Sequence, residues 1–160
     1  VDLADSLEFM AIINGYDTTL EKAEFVYAFV GAIQYVRDIN GTGVNNYPKY
    51  SIEMLWESSG DCEDAAILYI SIIEALGYDA MLARGLVLQT SDDAEWGGHV
   101  WAVIHIPDHS NFESEGWNYG LGSKSDMVYY FVETTAYYEG SYIGRNPWYD
   151  IKDVSYYDVE

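Results

Sequence analysis

In the first third of the chain, apolar positions return every three to four residues. Leu3, Leu7, Phe9, Met10 and Ile13 predict a short opening helix that Asn14-Gly15 ends. Thr18 and Glu21 form a T-x-x-E capping box ahead of Phe25, Val26, Phe29, Val30, Ile33 and Val36, a one-face stripe that predicts a second helix to about Asp38. Residues 40–50 carry two Gly, three Asn and Tyr47-Pro48, which is loop chemistry. Ser51 then caps a helix of one or two turns through Glu57, stopped by Ser58-Ser59-Gly60. A further helix over 61–76 has Asp61 at its N-cap, Asp64 at the third helical position, an apolar face of Ala65, Leu68, Ile72, Ala75 and Leu76, and Gly77 just past its end. Beyond it the period shortens to two, and 80–89, 99–106 and 128–134 read as strands rich in β-branched and aromatic residues. Two loops separate them: 90–98, which is acidic and closes on Gly97-Gly98, and 108–126, which is long and rich in Gly and Ser. Helices followed by strands predict an α+β fold with the long helix packed on an antiparallel sheet.

Composition narrows the partners. With 160 residues the chain suits one domain. Its 27 Asp+Glu against 7 Lys+Arg give a net charge of −20, which repels a phosphate backbone and anionic lipid and so excludes nucleic acid as a partner. Such acidity suits high salt or a cation-rich exterior. No apolar run approaches the roughly 20 residues of a membrane span, so insertion of this domain is not expected. The first residues lack a start Met and a basic leader, which reads as a mature chain or a domain of a larger one.

The single cysteine, Cys62, excludes an internal disulfide and a cysteine zinc cluster. Its place in the first helical turn exposes it to the positive end of the helix dipole, which favours thiolate, while Asp61, Glu63 and Asp64 oppose this. A histidine cation or a bound divalent ion would offset those carboxylates. Of the three histidines, His99 follows Gly97-Gly98 at the start of a strand, His105 lies six residues along the same face and about 20 Å away, and His109 sits in an acidic loop. His99 is therefore the expected base. Glu133, near the end of an apolar strand, is costly as an isolated charge and would be relieved by that imidazole. For an oxyanion the helix-start N–H of Cys62 is one donor, and the indole of Trp56, six residues upstream, is another unless it is a core aromatic. Trp101 beside His99 carries the same two readings.

The strings Gly60-Asp61-Cys62-Glu63-Asp64-Ala65-Ala66, Leu76-Gly77-Tyr78-Asp79-Ala80, Gly98-His99-Val100-Trp101 and Val132-Glu133-Thr134-Thr135 resemble the transglutaminase-like superfamily, of an archaeal surface-protein type. The order Cys, His, acid matches. The resemblance implies a papain-like α+β core at 47–135, preceded by a helical part at 1–46 and followed by an extension at 136–160 that includes Gly144-Arg145-Asn146-Pro147-Trp148. It also implies a Cys62–His99–Glu133 triad, with Glu133-Thr134-Thr135 standing where most relatives carry D-P-T. G-D-C-E-D is similar to the bacterial periplasmic calcium-dependent cysteine proteases of this superfamily, which makes Asp61, Glu63 and Asp64 candidate calcium ligands; the alternative is that Asp61 and Asp64 cap the helix and Glu63 faces solvent. The expected activity is cysteine-dependent acyl transfer on peptide or isopeptide bonds through a thioester, as a protease, with no cofactor needed beyond a possible Ca2+. Alternatives are a transglutaminase-type amine acyltransferase and a non-catalytic cell-surface module that binds calcium or peptide. Protein, peptide or cell-envelope polymer are the expected partners, at an extracellular or cell-surface location.

Overall fold

The computed structural model describes residues 2–38, 47–92, 95–107, 118–120 and 127–159. Helices α1 (Leu3–Ile13) and α2 (Thr19–Gly31) open the chain, followed by the short strand β1 (Gln34–Tyr35), helix α3 (Ser51–Glu57), strand β2 (Ser59–Gly60) and helix α4 (Cys62–Ala75). Strands β3 (Asp79–Leu88), β4 (Gly97–His105), β5 (Asn118–Gly120), β6 (Val128–Val132) and β7 (Asp150–Tyr157) complete it. The last five form an antiparallel sheet in the order β5-β6-β4-β3-β7, while β1 and β2 make a separate parallel pair. The fold is α+β, as the succession of helices and strands predicts. His109 lies outside the described residues, and among those described no helix is long and apolar enough to cross a membrane.

Period-two alternation splits the sheet into two apolar faces. Ala80, Ala102, Ile104, Tyr130 and Val132 pack against Ala65, Leu68, Tyr69, Ile72 and Ile73 of α4 and Val26 and Val30 of α2. Ala83, Val87, Trp101, Val103, Tyr129 and Phe131 form the opposite face, covered by Trp148, Ile151, Val154 and Tyr156 from the C-terminal segment. Residues 136–160, set apart in the sequence as an extension, thus supply both the cover of the second face and the edge strand β7. That strand carries a register shift opposite Arg84 and Leu86, and Asp153 within it adopts φ +54.

Two expectations about helices change. The second helix stops at Gly31 instead of running to about Asp38, because tertiary hydrogen bonds replace helical ones: Tyr137 N–H donates to the Gly31 carbonyl (3.2 Å) and Val36 N–H to that of Gly60 (2.8 Å). A Cβ on Gly31 would lie 2.7 Å from that of Tyr137, so the close approach requires glycine. Helix α3 is capped by Tyr50, whose N–H is held by Glu53, and Ser51 is already its first helical residue. Ser58, at φ +52, then turns the chain into β2 and the start of α4.

Gly60 sits directly before that start, where a Cβ would meet Asp64 Cβ at 2.8 Å and its Oδ2 at 2.9 Å. Asp64 cannot swing aside, since it is buried and both its oxygens hold backbone amides. Gly60→Ala is therefore expected to lower stability by about 1–3 kcal/mol in chemical denaturation.

Candidate active site

Helix α4 begins at Cys62 because Asp61 and Asp64 close a reciprocal capping box. Asp61 Oδ1 accepts the N–H of Glu63 (3.0 Å) and of Asp64 (3.4 Å), while Asp64 Oδ2 accepts that of Asp61 (3.0 Å). Asp64 Oδ1 also accepts Lys49 N–H at 2.7 Å, tying in the preceding loop. Lys49 is itself buried, its ammonium bonded to the Ser59 carbonyl and to Glu57, both at 3.0 Å. These bonds fix the turn that presents the half-buried Cys62. With the next two amides taken by Asp61, the Cys62 N–H stays available at the helix start.

His99 begins the apolar run of β4 and is 9% exposed. Its Nε2 faces the Glu133 carboxylate at 2.8 and 3.1 Å, and the ring lines the same cleft as Cys62. The ring stacks on Trp101 with centroids 6.0 Å apart and meets Trp148 edge-on at 4.7 Å. Burial alone would depress its pKa. Hydrogen bonds to Cys62 and Glu133 and attraction to their negative charge override that and carry it up to about 9.

Glu133 is 6% exposed, and burial pushes its carboxyl toward the neutral form. The His99 bond and charge, together with Thr135, outweigh this and hold it below the usual carboxylate range. Thr135 Oγ1 donates to Oε1 at 2.6 Å and its N–H at 3.3 Å, while Trp148 Nε1 donates to Oε2 at 3.0 Å. The glutamate side chain thus reaches the imidazole. Trp148 was legible only as part of the Gly144–Trp148 string; its bond to Glu133 had no signal in spacing.

Cys62 and His99 open onto a cleft of about 630 Å³ whose other walls include Tyr35, Arg37, Glu95 and Trp148. Tyr35 arrives there because β1 pairs it with Gly60, two residues before the thiol. Burial and the charge of Cys62 push its phenol upward, against an opposing hydrogen bond from Arg37, so it stays an O–H donor. An arginine can only donate, so the phenol oxygen accepts from Arg37 and the phenol hydrogen is left for another acceptor. Trp56, the expected side-chain donor, is 89% exposed on α3 and does not line the cleft; it is neither an oxyanion donor nor a core aromatic. Trp101 is fully buried between His99 and Phe131 and acts as a packing platform. His105 stands at the far end of β4, its Nδ1 donating to the Val128 carbonyl at 3.0 Å.

The acidic residues divide by role. Burial and neighbouring Asp64 and Asp38 raise the Asp61 carboxyl, and burial and Asp61 raise that of Glu63, with Arg84 pulling it back. Of the three expected calcium ligands, Asp64 has both oxygens on amides and Asp61 has Oδ1 on amides, so both cap the helix. Among the described residues no group of three His, Cys, Asp or Glu gathers for a metal.

A family model described as the transglutaminase-like superfamily matches residues 9–118, a stretch that contains Cys62 and His99 and ends before Glu133. No curated protein matches the chain. Among solved structures the chain is similar to calcium-bound LapG of Legionella pneumophila, at 16% identity and a TM-score of 0.47 over 82% of this chain and 72% of that one. It is also similar to a candidate cysteine protease from Cytophaga hutchinsonii, at 14% identity and a TM-score of 0.50 over 97% of this chain. The chain spans 49% of that protein's length.

Raising His99 above its ordinary 6.5 stabilises the fold fully below that value and is lost as pH rises through about 9. Lowering Glu133 below its ordinary 4.5 stabilises the fold above that value and is lost at more acidic pH. The stability difference between the wild type and Glu133→Gln is therefore expected to be largest between these two ordinary values and to shrink through about pH 9, measured by denaturant unfolding across pH. In NMR titration the His99 imidazole is expected to titrate near 9, and lower in Glu133→Gln.

Proposed function

The chain belongs to the transglutaminase-like superfamily, and from that premise we propose that it is a cysteine peptidase in which Cys62, His99 and Glu133 form a nucleophile, acid–base and orienting triad. The observation that carries this reading is the buried His99–Glu133 contact at 2.8 Å, with His99 and Cys62 lining the same open cleft. An imidazole carried up to about 9 supplies a cation over the physiological range in the cleft that Cys62 lines.

The Cys62 thiolate attacks the carbonyl carbon of a peptide bond, forming the S–C bond and placing the electron pair on oxygen. The Cys62 N–H and the Tyr35 hydroxyl, polarised by Arg37, receive that oxyanion. Collapse breaks the C–N bond as the His99 proton passes to the departing amine, leaving a thioester. Water then attacks the thioester while His99 takes its proton; the C–S bond breaks, the thiolate returns, and the acid product ionises. Glu133, held by Thr135 and Trp148, keeps the ring oriented and balances its charge throughout.

Alkylation by iodoacetamide tests the pair. The wild type is expected to react below pH 7, and His99→Ala to lose that reactivity; a rate that follows an ordinary free thiol in both proteins rejects the triad and favours the non-catalytic module. Once a peptide substrate is in hand, Tyr35→Phe is expected to lower kcat by roughly 10²–10³ with little change in KM, as removal of one oxyanion donor does.

A further inference from the structure

Three hollows of the surface meet at Gly98. One is the 630 Å³ cleft with Arg37 and Trp148; the second, of about 190 Å³, holds Glu63 and Arg84; the third, of about 230 Å³, reaches Asp153 and Tyr157 of β7. Cys62 and His99 line the first and the second, so open space lies on both sides of the reacting pair.

Nothing in the fold demands a glycine at this position. Its φ lies outside the left-handed region, and a Cβ built there meets no heavy atom within 4 Å. Gly85, on the neighbouring strand, is the contrast: a Cβ there would sit 3.0 Å from both the Lys152 carbonyl and the Trp101 ring, so packing excludes it. Gly98 shares the face of Ala102 and Ile104, which pack on α4, but lies further toward the strand's start, where the hollow beside Cys62 opens. A side chain at Gly98 would therefore fill the passage between the hollows while leaving the core untouched.

We propose that Gly98 is the saddle of a through-running cleft and that the substrate is an extended polypeptide crossing Cys62 with residues on both sides, so the bond broken is an internal main-chain amide. A side-chain amide enters a site from one direction and needs only one hollow; a main-chain amide needs an exit for the chain on each side. This deepens the peptidase reading and rests on it.

Gly98→Ala and Gly98→Val form a graded series suited to a strand. Unfolded casein is the macromolecular probe, with products mapped by mass spectrometry, and iodoacetamide is the small one; melting temperature verifies the fold. The wild type is expected to cut casein at internal bonds. The Val variant is expected to lose at least about tenfold more casein cleavage than alkylation rate, with Ala between the two. Casein cleavage undiminished in both variants overturns the proposal. So does a wild type that alkylates in a His99-dependent manner yet leaves the casein main chain intact, or trims only its ends, or converts only its glutamine side chains. Absence of His99-dependent alkylation instead overturns the triad, and this proposal with it.

Discussion

A charged pair kept away from water is the constraint around which this molecule is arranged. Glu133 and His99 are each less than a tenth exposed, and neither charge would persist there alone. Each Glu133 oxygen accepts more than one hydrogen bond, from His99, Thr135 and Trp148. Trp148 comes from a segment that has to fold back over the second face of the sheet to reach the carboxylate. The pair therefore requires the C-terminal residues as much as it requires the strands it sits on.

Local chemistry made much of this legible in the sequence. The T-x-x-E box of α2, the Asp61 and Asp64 cap of α4, and the two-residue period of β3, β4 and β6 each depend on near neighbours, and each element forms where its pattern lies. The meeting of His99 with Glu133 was also legible, because an acid on an apolar strand needs a partner. What the pattern did not carry was long-range. Gly31 ends α2 because Tyr137, more than a hundred residues away, takes its carbonyl. Tyr35 reaches the thiol through a two-residue parallel pairing too short to leave a periodic trace. Tyr35 lines the cleft and Trp56 does not for the same reason: sequence distance from Cys62 says little about which aromatic the turn of the chain brings near it.

The acidic string around Cys62 shows how one set of residues answers two demands. Carboxylates at a helix start look alike in sequence whether they cap amides or bind an ion. Here Asp64 is spent on the amides of Lys49 and Asp61, and its burial makes it part of the scaffold. The remaining acids repel one another, and Arg84 is the cation that acts against this at Glu63.

The kink in β7 reaches beyond the single molecule. An outermost strand exposes a row of unpaired amides and carbonyls on which another copy can build. Here the bend at Asp153, the shifted register beside it and the flanking charges of Asp150 and Lys152 deny a visiting strand a flat, continuous ladder. Along that rim the shifted register and the left-handed Asp153 interrupt the run of amides and carbonyls that a second copy would need to pair with.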